Sequence, residues 1–415
     1  MHEKAEKTHP NLTMAISCAV QFITYGLGLS VLPPLMHTIA TDLSISHTMG
    51  GVIWGAFTLG VGIASPFGGA AVDRYGARIV GALSVFCCAV AVMMRGVGND
   101  AWSMAITMLI FGLATGFQTP TIPKVLAAHI RSDRLGLANG TALFAMTLGS
   151  VLAMLTTLTV FVPMFGGWRP VQWVAGVTVA IVSLAWWIFI RDLIPHSKDT
   201  NLIQVVRLYK DLQLMRLTLI LLFQFGGYVV MLGILPRALS ESGLSEERAG
   251  IFVAAWLMVY GLANFVGPWL SDLKGYRRPF LILGSILTGV PLVALSILPV
   301  STEASIWFLI LAGIGSGSFS PLLCVIPVEM PSIGPEKMGV ALGYMFLMSQ
   351  IGTFLLSVMT GVAGDLGGLR GELILLSLIQ FVILLPVYGL LETGPSIKRN
   401  SIKAAEKKGS PTPFF

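Results

Sequence analysis

Two short runs carry the most legible charges of the chain: Asp73-Arg74-Tyr75-Gly76-Ala77-Arg78 and Asp272-Leu273-Lys274-Gly275-Tyr276-Arg277. A carboxylate set among bases can form an ion pair and later exchange it, and a glycine between them permits a tight turn. Gly69 allows close helix approach just before the first run, and Arg74 and Arg78 suit lipid phosphates. A second set is neutral. Gln21 and Tyr25 lie four residues apart, Gln224 and Tyr228 repeat that step, and Trp256, Tyr260 and Asn264 continue it. On a helix, four-residue spacing puts each set in one stripe. Amides, phenols and an indole in a stripe can hold a polar solute by hydrogen bonds and ring stacking, or can bond one helix to the next inside lipid. For the paired Gln/Tyr stripes the solute-binding reading is carried forward.

Other chemistry is hard to find. An enzyme needs a nucleophile with a base, or a metal cluster, and the sequence holds no HExxH, GxSxG or P-loop pattern. Cys18, Cys87, Cys88 and Cys324 sit in apolar runs without ligand spacing and read as packing residues, so no metal or cofactor is expected. Gly313-Ile314-Gly315-Ser316-Gly317 reads as a helix-packing surface. No Asp or Glu falls centrally in an apolar run, so a buried carboxylate to carry a coupling proton is missing from view. Lys124, after Pro120 and Pro123, reads as snorkelling to the headgroups, and His37, beyond Pro33 and Pro34, as an ordinary loop residue.

The elements that position these residues are set by composition. Of 415 residues, 55% are hydrophobic and 11% charged, against about a quarter charged in ordinary soluble domains. With a mean hydropathy of +0.82 the chain cannot cover itself with polar surface. Apolar runs near 13–36, 49–71, 79–97, 102–125, 137–160 and 170–190 are followed by runs near 216–236, 249–271, 280–299, 305–328, 339–361 and 370–391. This predicts an all-α membrane protein of twelve spans: a six-helix bundle over 1–190, a cytoplasmic linker over 191–215, a second bundle over 216–392 and a basic tail over 393–415.

Lys and Arg fall mainly on one side of these spans, which predicts cytoplasmic N- and C-termini and leaves Arg95, Arg169, Arg237, Arg248 and Arg370 outside. The net charge of +6 follows from this topology, since the bases lack the aromatic interleaving of a nucleic-acid surface. The first run is too long for a cleavable signal and is expected to remain as a span. Duplication supports the bundles: Gln21-Phe22-x-x-Tyr25 with Pro33 recurs as Gln224-Phe225-x-x-Tyr228 with Pro236, and the two Asp runs follow the second and eighth spans. Halves related by an axis along the membrane normal place the ligand between them.

The segment Gly69 to Arg78 resembles the signature loop between the second and third helices of the major facilitator superfamily. The second copy departs, with Pro268 where a glycine is usual. The resemblance implies two pseudo-symmetric six-helix bundles, alternating access, and a cavity lined by helices one, four, seven and ten with two, five, eight and eleven beside them, which adds Gln118, Tyr344 and Gln350 to the candidate binding residues. It also implies that Asp73 meets the N-terminal end of the eleventh helix near Gly339 and locks the cytoplasmic gate, with Asp272 acting likewise at the fifth helix. Pro327 to Gly343 is similar, more weakly, to the cyanate and nitrate permease branch, but spans two and eight lack the arginines of nitrate porters. Multidrug antiporters usually carry an arginine in the fourth helix, where Met108 stands here, and a GPxxGG-like motif in the fifth, which Gly149-Ser150-Val151-Leu152-Ala153 does not match. The expectation is therefore a monomeric inner-membrane transporter, not an enzyme, contacting lipid and moving a small organic anion or polar neutral solute. Drug/proton antiport is the alternative, and an intramembrane enzyme or sensor ranks behind both.

Overall fold

The computed structural model describes residues 10–131, 134–191, 211–298, 304–330 and 334–394. Most of the expected linker and tail, together with Lys4, Lys7 and the side chains at 331–340, lie outside the described residues. The described elements are helices: α1 Pro10–Asp42, α2 His47–Tyr75, α3 Ala77–Arg95, α4 Ala101–His129, α5 Leu137–Phe165, α6 Trp168–Phe189, α7 Leu212–Glu241, α8 Glu246–Lys274, α9 Arg278–Ile297 and α10 Ala304–Pro327. The next apolar stretch, Ala341–Tyr388, runs for 48 residues. At 1.5 Å per residue that is about 72 Å, more than twice a hydrocarbon core of about 30 Å. It breaks at Gly368, whose φ of +56° and ψ of −149° leave the helical region, and so divides into α11 (341–367) and α12 (369–388). The chain thus crosses twelve times, as its hydropathy predicts.

Local sequence fixes the ends. Ser46 and Ser245 cap α2 and α8 by accepting from Met49 N and Arg248 N, and Asp100 forms a capping box with Ser103 ahead of α4. Gly76 ends α2 at φ +88° and Gly275 ends α8 at φ +78°, so the two Asp runs turn at corresponding glycines where a side chain would be strained.

Inside lipid there is no hydrophobic force between helices, and close approach at small residues takes its place. A methyl on Gly26 of α1 would stand 2.7 Å from Gly149 O of α5, and one on Gly68 of α2 2.9 Å from Gly116 O of α4. In the second half, a methyl on Gly313 of α10 would meet Trp256 O of α8 at 2.8 Å, and one on Gly315 the Thr288 hydroxyl of α9 at 2.6 Å. The glycine-rich run of α10 is thus a packing face. The bundles meet through α2 against α11, α1 against α7, and α5 against α8. Along α2, Gly55 and Gly62 fit against Phe354 and Gln350 of α11, and a methyl on either glycine would stand 2.9 Å from the side chain it faces. Phe67, Trp102 and Trp307 stand more than 60% exposed on the outside of the helix packing.

Candidate functional site

The face of the molecule bearing the two Asp runs is called the Asp-loop face below, and the one bearing the α1–α2, α7–α8 and α11–α12 connections the far face. Midway between them α7 and α8 bring the second-half stripes together. Tyr228 and Tyr260 stack with ring centroids 4.2 Å apart and 18° between planes, and Trp256 lies 5.6 Å from Tyr228. Phe225 and Phe346 extend the aromatic wall at 6.2 and 6.5 Å. The Tyr260 hydroxyl bonds Ser320 Oγ of α10 at 3.2 Å and also reaches Asn264. Tyr25 of α1 interacts electrostatically with Tyr228 across the bundle boundary and bonds Thr119 of α4. Five candidates from three helices and both bundles therefore converge: Tyr25, Tyr228, Trp256, Tyr260 and Asn264.

The amides behave differently. Gln224 is buried, donates Nε2 to Ser316 O at 2.7 Å, and leaves Oε1 without a partner among the described residues. Half of this amide is therefore interhelical glue between α7 and α10. Gln118 is buried in α4 with neither amide atom partnered, Gln350 packs on Gly62 with its Oε1 unpartnered, and the Asn264 Oδ1 and Trp256 Nε1 are also orphaned, again among the described residues. A buried polar atom without a partner costs about 1–3 kcal/mol, so several around one aromatic cluster suit water or a solute that supplies the missing bonds. Tyr344 is buried with an interaction of its own, and Gln21 is half-buried on α1.

At the Asp-loop face each Asp run is tied within its own bundle. Asp73 Oδ1 accepts from Lys124 Nζ at 2.6 Å, and the same ammonium donates to Gly69 O at 2.9 Å. Lys124 thus holds a specific carboxylate where snorkelling was expected, and Asp73 is paired with α4; the contact expected near Gly339 falls on side chains outside the described residues. A methyl on Gly69 would meet nothing within 4 Å, so the close approach expected there belongs to its neighbour Gly68. Arg74 lies over the Tyr75 ring, and Arg78 donates Nε to Trp187 O at 2.7 Å with its guanidinium over that indole. In the second bundle Asp272 bonds Arg277 at 2.5 Å, and Arg277 also pairs with Glu329 at 2.7 Å, while its backbone N–H donates to Glu392. Burial pulls the Arg277 pKa down, but Glu329 and Asp272 outweigh it and leave it raised above the ordinary arginine value. Lys274 ends α8.

At the far face the bonds run between bundles. His47 of α2 places Nε2 3.0 Å from Glu241 of α7 and Nδ1 2.9 Å from Glu372 of α12. Arg237 of α7 bonds Glu241 at 2.7 Å and reaches the carbonyls of Ile45 and Ser46 at 3.1 and 3.3 Å. Asp365 accepts from the backbone N–H groups of His47 and Thr48, and Trp54 Nε1 donates to Val229 O at 2.6 Å further in. Arg237, expected as an outer rim charge, is therefore part of a lock. Arg95, also expected among the outer charges, is buried: it is 0% exposed, donates to Gly28 O at 2.7 Å and lies over Phe111. Gly28 belongs to a π-helical turn, Thr24–Ser30, which interrupts α1 where this arginine enters.

Among the described residues no three His, Cys, Asp or Glu side chains are grouped to hold a metal ion. A sequence model of the Major Facilitator Superfamily matches residues 18–237 and again 217–414. "Multidrug resistance protein MdtG" of Dickeya zeae (strain Ech586) is 25% identical over 319 residues, covering 71% of this chain and 74% of that protein. The MdtG of Salmonella typhi is 26% identical over 202 residues, 46% of this chain and 48% of its own length. Among solved structures, a mutant of the nucleoside transporter NupG superposes with a TM-score of 0.78 at 14% identity, covering 92% of this chain and 99% of that one. A bacterial homologue of the human lysosomal transporter Spinster, inward-facing and occupied, gives 0.76 at 15% identity over 92% and 97%. At these identities the structural likeness speaks for the fold alone.

Proposed function

The chain belongs to the major facilitator superfamily and is a multi-pass membrane transporter, and from that premise we propose that its solute is small and organic, bound between the bundles at the Tyr25/Tyr228/Tyr260/Trp256 cluster. The observation that carries this is the Tyr228–Tyr260 stack facing Tyr25 of the other bundle, with orphaned amide and indole atoms around it. Stacked rings favour a flat partner, and the orphaned atoms favour one that both donates and accepts hydrogen bonds. Among the described residues no lysine or arginine lies over a ring of this cluster, which favours the polar neutral solute over the organic anion.

Transport proceeds by alternating access, with the two bundles, 1–190 and 216–392, rocking about this site. The chain works as a monomer in the inner membrane and leaves its solute chemically unchanged. The Asp-loop face is cytoplasmic, as are both termini, because the positive residues flanking the spans gather there. The far-face bonds between bundles then belong to an inward-facing state. In the outward-facing state Asp73 exchanges Lys124 for the N-terminal end of α11, where a helix dipole favours an anion, and Gly69, Gly76, Arg74 and Arg78 frame that contact. Asp272, Lys274, Gly275 and Arg277 form its counterpart.

A second reading is export of apolar compounds. The names of the MdtG relatives and the breadth of the aromatic wall from Phe225 to Phe346 favour it. Thermal unfolding of the purified protein against nucleosides, other neutral metabolites, organic anions and apolar drugs separates the two. A specific ligand at a hundred times its Kd stabilises by about 2.7 kcal/mol. A neutral metabolite whose effect is lost in both Tyr228→Ala and Gln224→Ala supports the main reading. A response to apolar drugs alone puts export first, and a hit indifferent to both variants removes the solute from this cluster.

A further inference from the structure

The far-face lock contains an arrangement that a static clamp does not need. Both ring nitrogens of His47 face carboxylate oxygens, Glu241 at 3.0 Å and Glu372 at 2.9 Å. A neutral imidazole has one N–H to donate and a carboxylate has none. Both contacts are hydrogen bonds only when the ring carries two protons, or when one carboxyl carries the second. In either form the closed lock holds one proton more than the same groups with a neutral ring and two carboxylates.

The surroundings keep that proton in place. Glu372 is 2% exposed, and its Oε2 has no partner among the described residues. It adjoins a small space of about 20 Å³ between His47, Arg237, Trp54 and Gly233, room for one water. The charged and titratable groups facing the ring from the other elements are Arg237 and Glu241 of α7, Glu372 of α12 and Asp365 before it. His37 at the end of α1 stands 4.0 Å from Glu241 and 3.9 Å from Glu246 of α8. With His47 and Arg237 positive, the pair balances Glu241 and Glu372. Removing the proton leaves a buried carboxylate facing a ring that no longer donates to it, which burial makes unfavourable.

His47 rides on the first bundle, whereas Glu241 and Glu372 ride on the second. Opening the far face therefore takes the ring away from both carboxylates and dissolves the site. We propose that His47 and Glu372, with Glu241, form a proton-binding site that exists only while the far face is closed, so that closure takes up one proton from the outer solution and opening returns it there. Proton binding and closure are then reciprocally linked, and alkaline conditions outside favour the outward-open state. This rests on the transport reading for its purpose, but not for its test.

The test uses the full chain in nanodiscs, with its four cysteines replaced by alanine and spin labels on Thr41→Cys and Ser242→Cys, exposed positions on opposite bundles beside the lock. The distance distribution is followed from about pH 6 to about pH 10, a range that brackets histidine titration. The wild-type background should shift from the short to the long population as pH rises. His47→Arg, permanently charged, should stay short throughout, and His47→Gln, unable to carry the charge, should lose the pH dependence. A flat wild-type profile, or a His47→Gln profile that matches the wild type, overturns the proposal. Solute stabilisation measured on the same protein keeps the outcomes apart: a flat profile with a specific solute sinks the proton site alone, and a pH-dependent gate without any solute sinks the binding-site reading alone.

Discussion

The two faces of the membrane use similar side chains for opposite purposes. On the far face His47, Arg237, Glu241 and Glu372 join one bundle to the other. On the Asp-loop face Asp73 with Lys124, and Asp272 with Arg277 and Glu329, join helices of the same bundle. Ion pairs within a bundle survive a rocking motion, and pairs between bundles must break during it. The difference shows which face is bonded between the bundles in this state and which, among the described ion pairs, is bonded within them. It also shows that a charged loop is not a gate by composition alone, because both aspartates pair here inside their own bundles.

The sharpest way to break the comparison is Arg277→Met. This guanidinium is 5% exposed and compensates Glu329, itself 14% exposed, so its loss leaves a largely buried carboxylate unpaired. Removing one partner of a buried pair costs about 3–5 kcal/mol. Thermal unfolding should register that loss of stability, while labels at the far face keep their wild-type distances if the cluster belongs wholly to one bundle. A large far-face change would mean that the two ends are not independent.

Glu372→Gln should do the reverse. It removes one charged hydrogen bond to His47 across the gate and leaves Glu241 in place, so stability changes little and the far face opens more readily. A hydrogen bond to a charged group is worth about 1.5–3 kcal/mol, which is about 10- to 100-fold in the closed-to-open ratio. Double spin labelling at Thr41 and Ser242 reads that ratio directly. An unchanged ratio would mean that Trp54, Arg237 and the glycine contacts hold the far face closed without the proton-bearing pair.

The sequence made the second-half stripe legible because a four-residue period on a helix is a three-dimensional statement: Tyr228, Trp256 and Tyr260 do meet. The twelve crossings were legible for a similar reason, since lipid imposes a length and an apolarity on every span. The lock was not. His47, Glu241 and Glu372 each stand at a helix end, where a charge reads as ordinary headgroup-level polarity, and only the folded arrangement of α2, α7 and α12 brings the three ends together. Arg95 misleads similarly, because nothing local announces that a carbonyl in the π-helical turn of α1 will accept it. For Lys124, two prolines and a span end suggested a side chain reaching for water, whereas Asp73 lies within its reach on the neighbouring helix. Gln224 shows a finer limit, since an amide can serve packing through Nε2 and leave Oε1 for a ligand.

Lys124→Met sharpens the comparison with the smallest effect. The pair it breaks is about a quarter to a third exposed, so solvent screens it, and its removal is worth about 1 kcal/mol or less. The sign is what matters. Freed from Lys124, Asp73 becomes available to the N-terminal end of α11, and the cytoplasmic side should close more readily, moving the population about fivefold or less toward the outward-facing state. Labels on Arg131→Cys and Lys274→Cys, at the ends of the two bundles on that side, should shift toward the shorter distance. Adding Asp73→Asn to Lys124→Met should cancel the shift, since the amide lacks the charge that the helix end attracts. If the double variant stays shifted, Lys124 acts on the gate through something other than Asp73, and the inner face is not the latch that its paired carboxylates suggest.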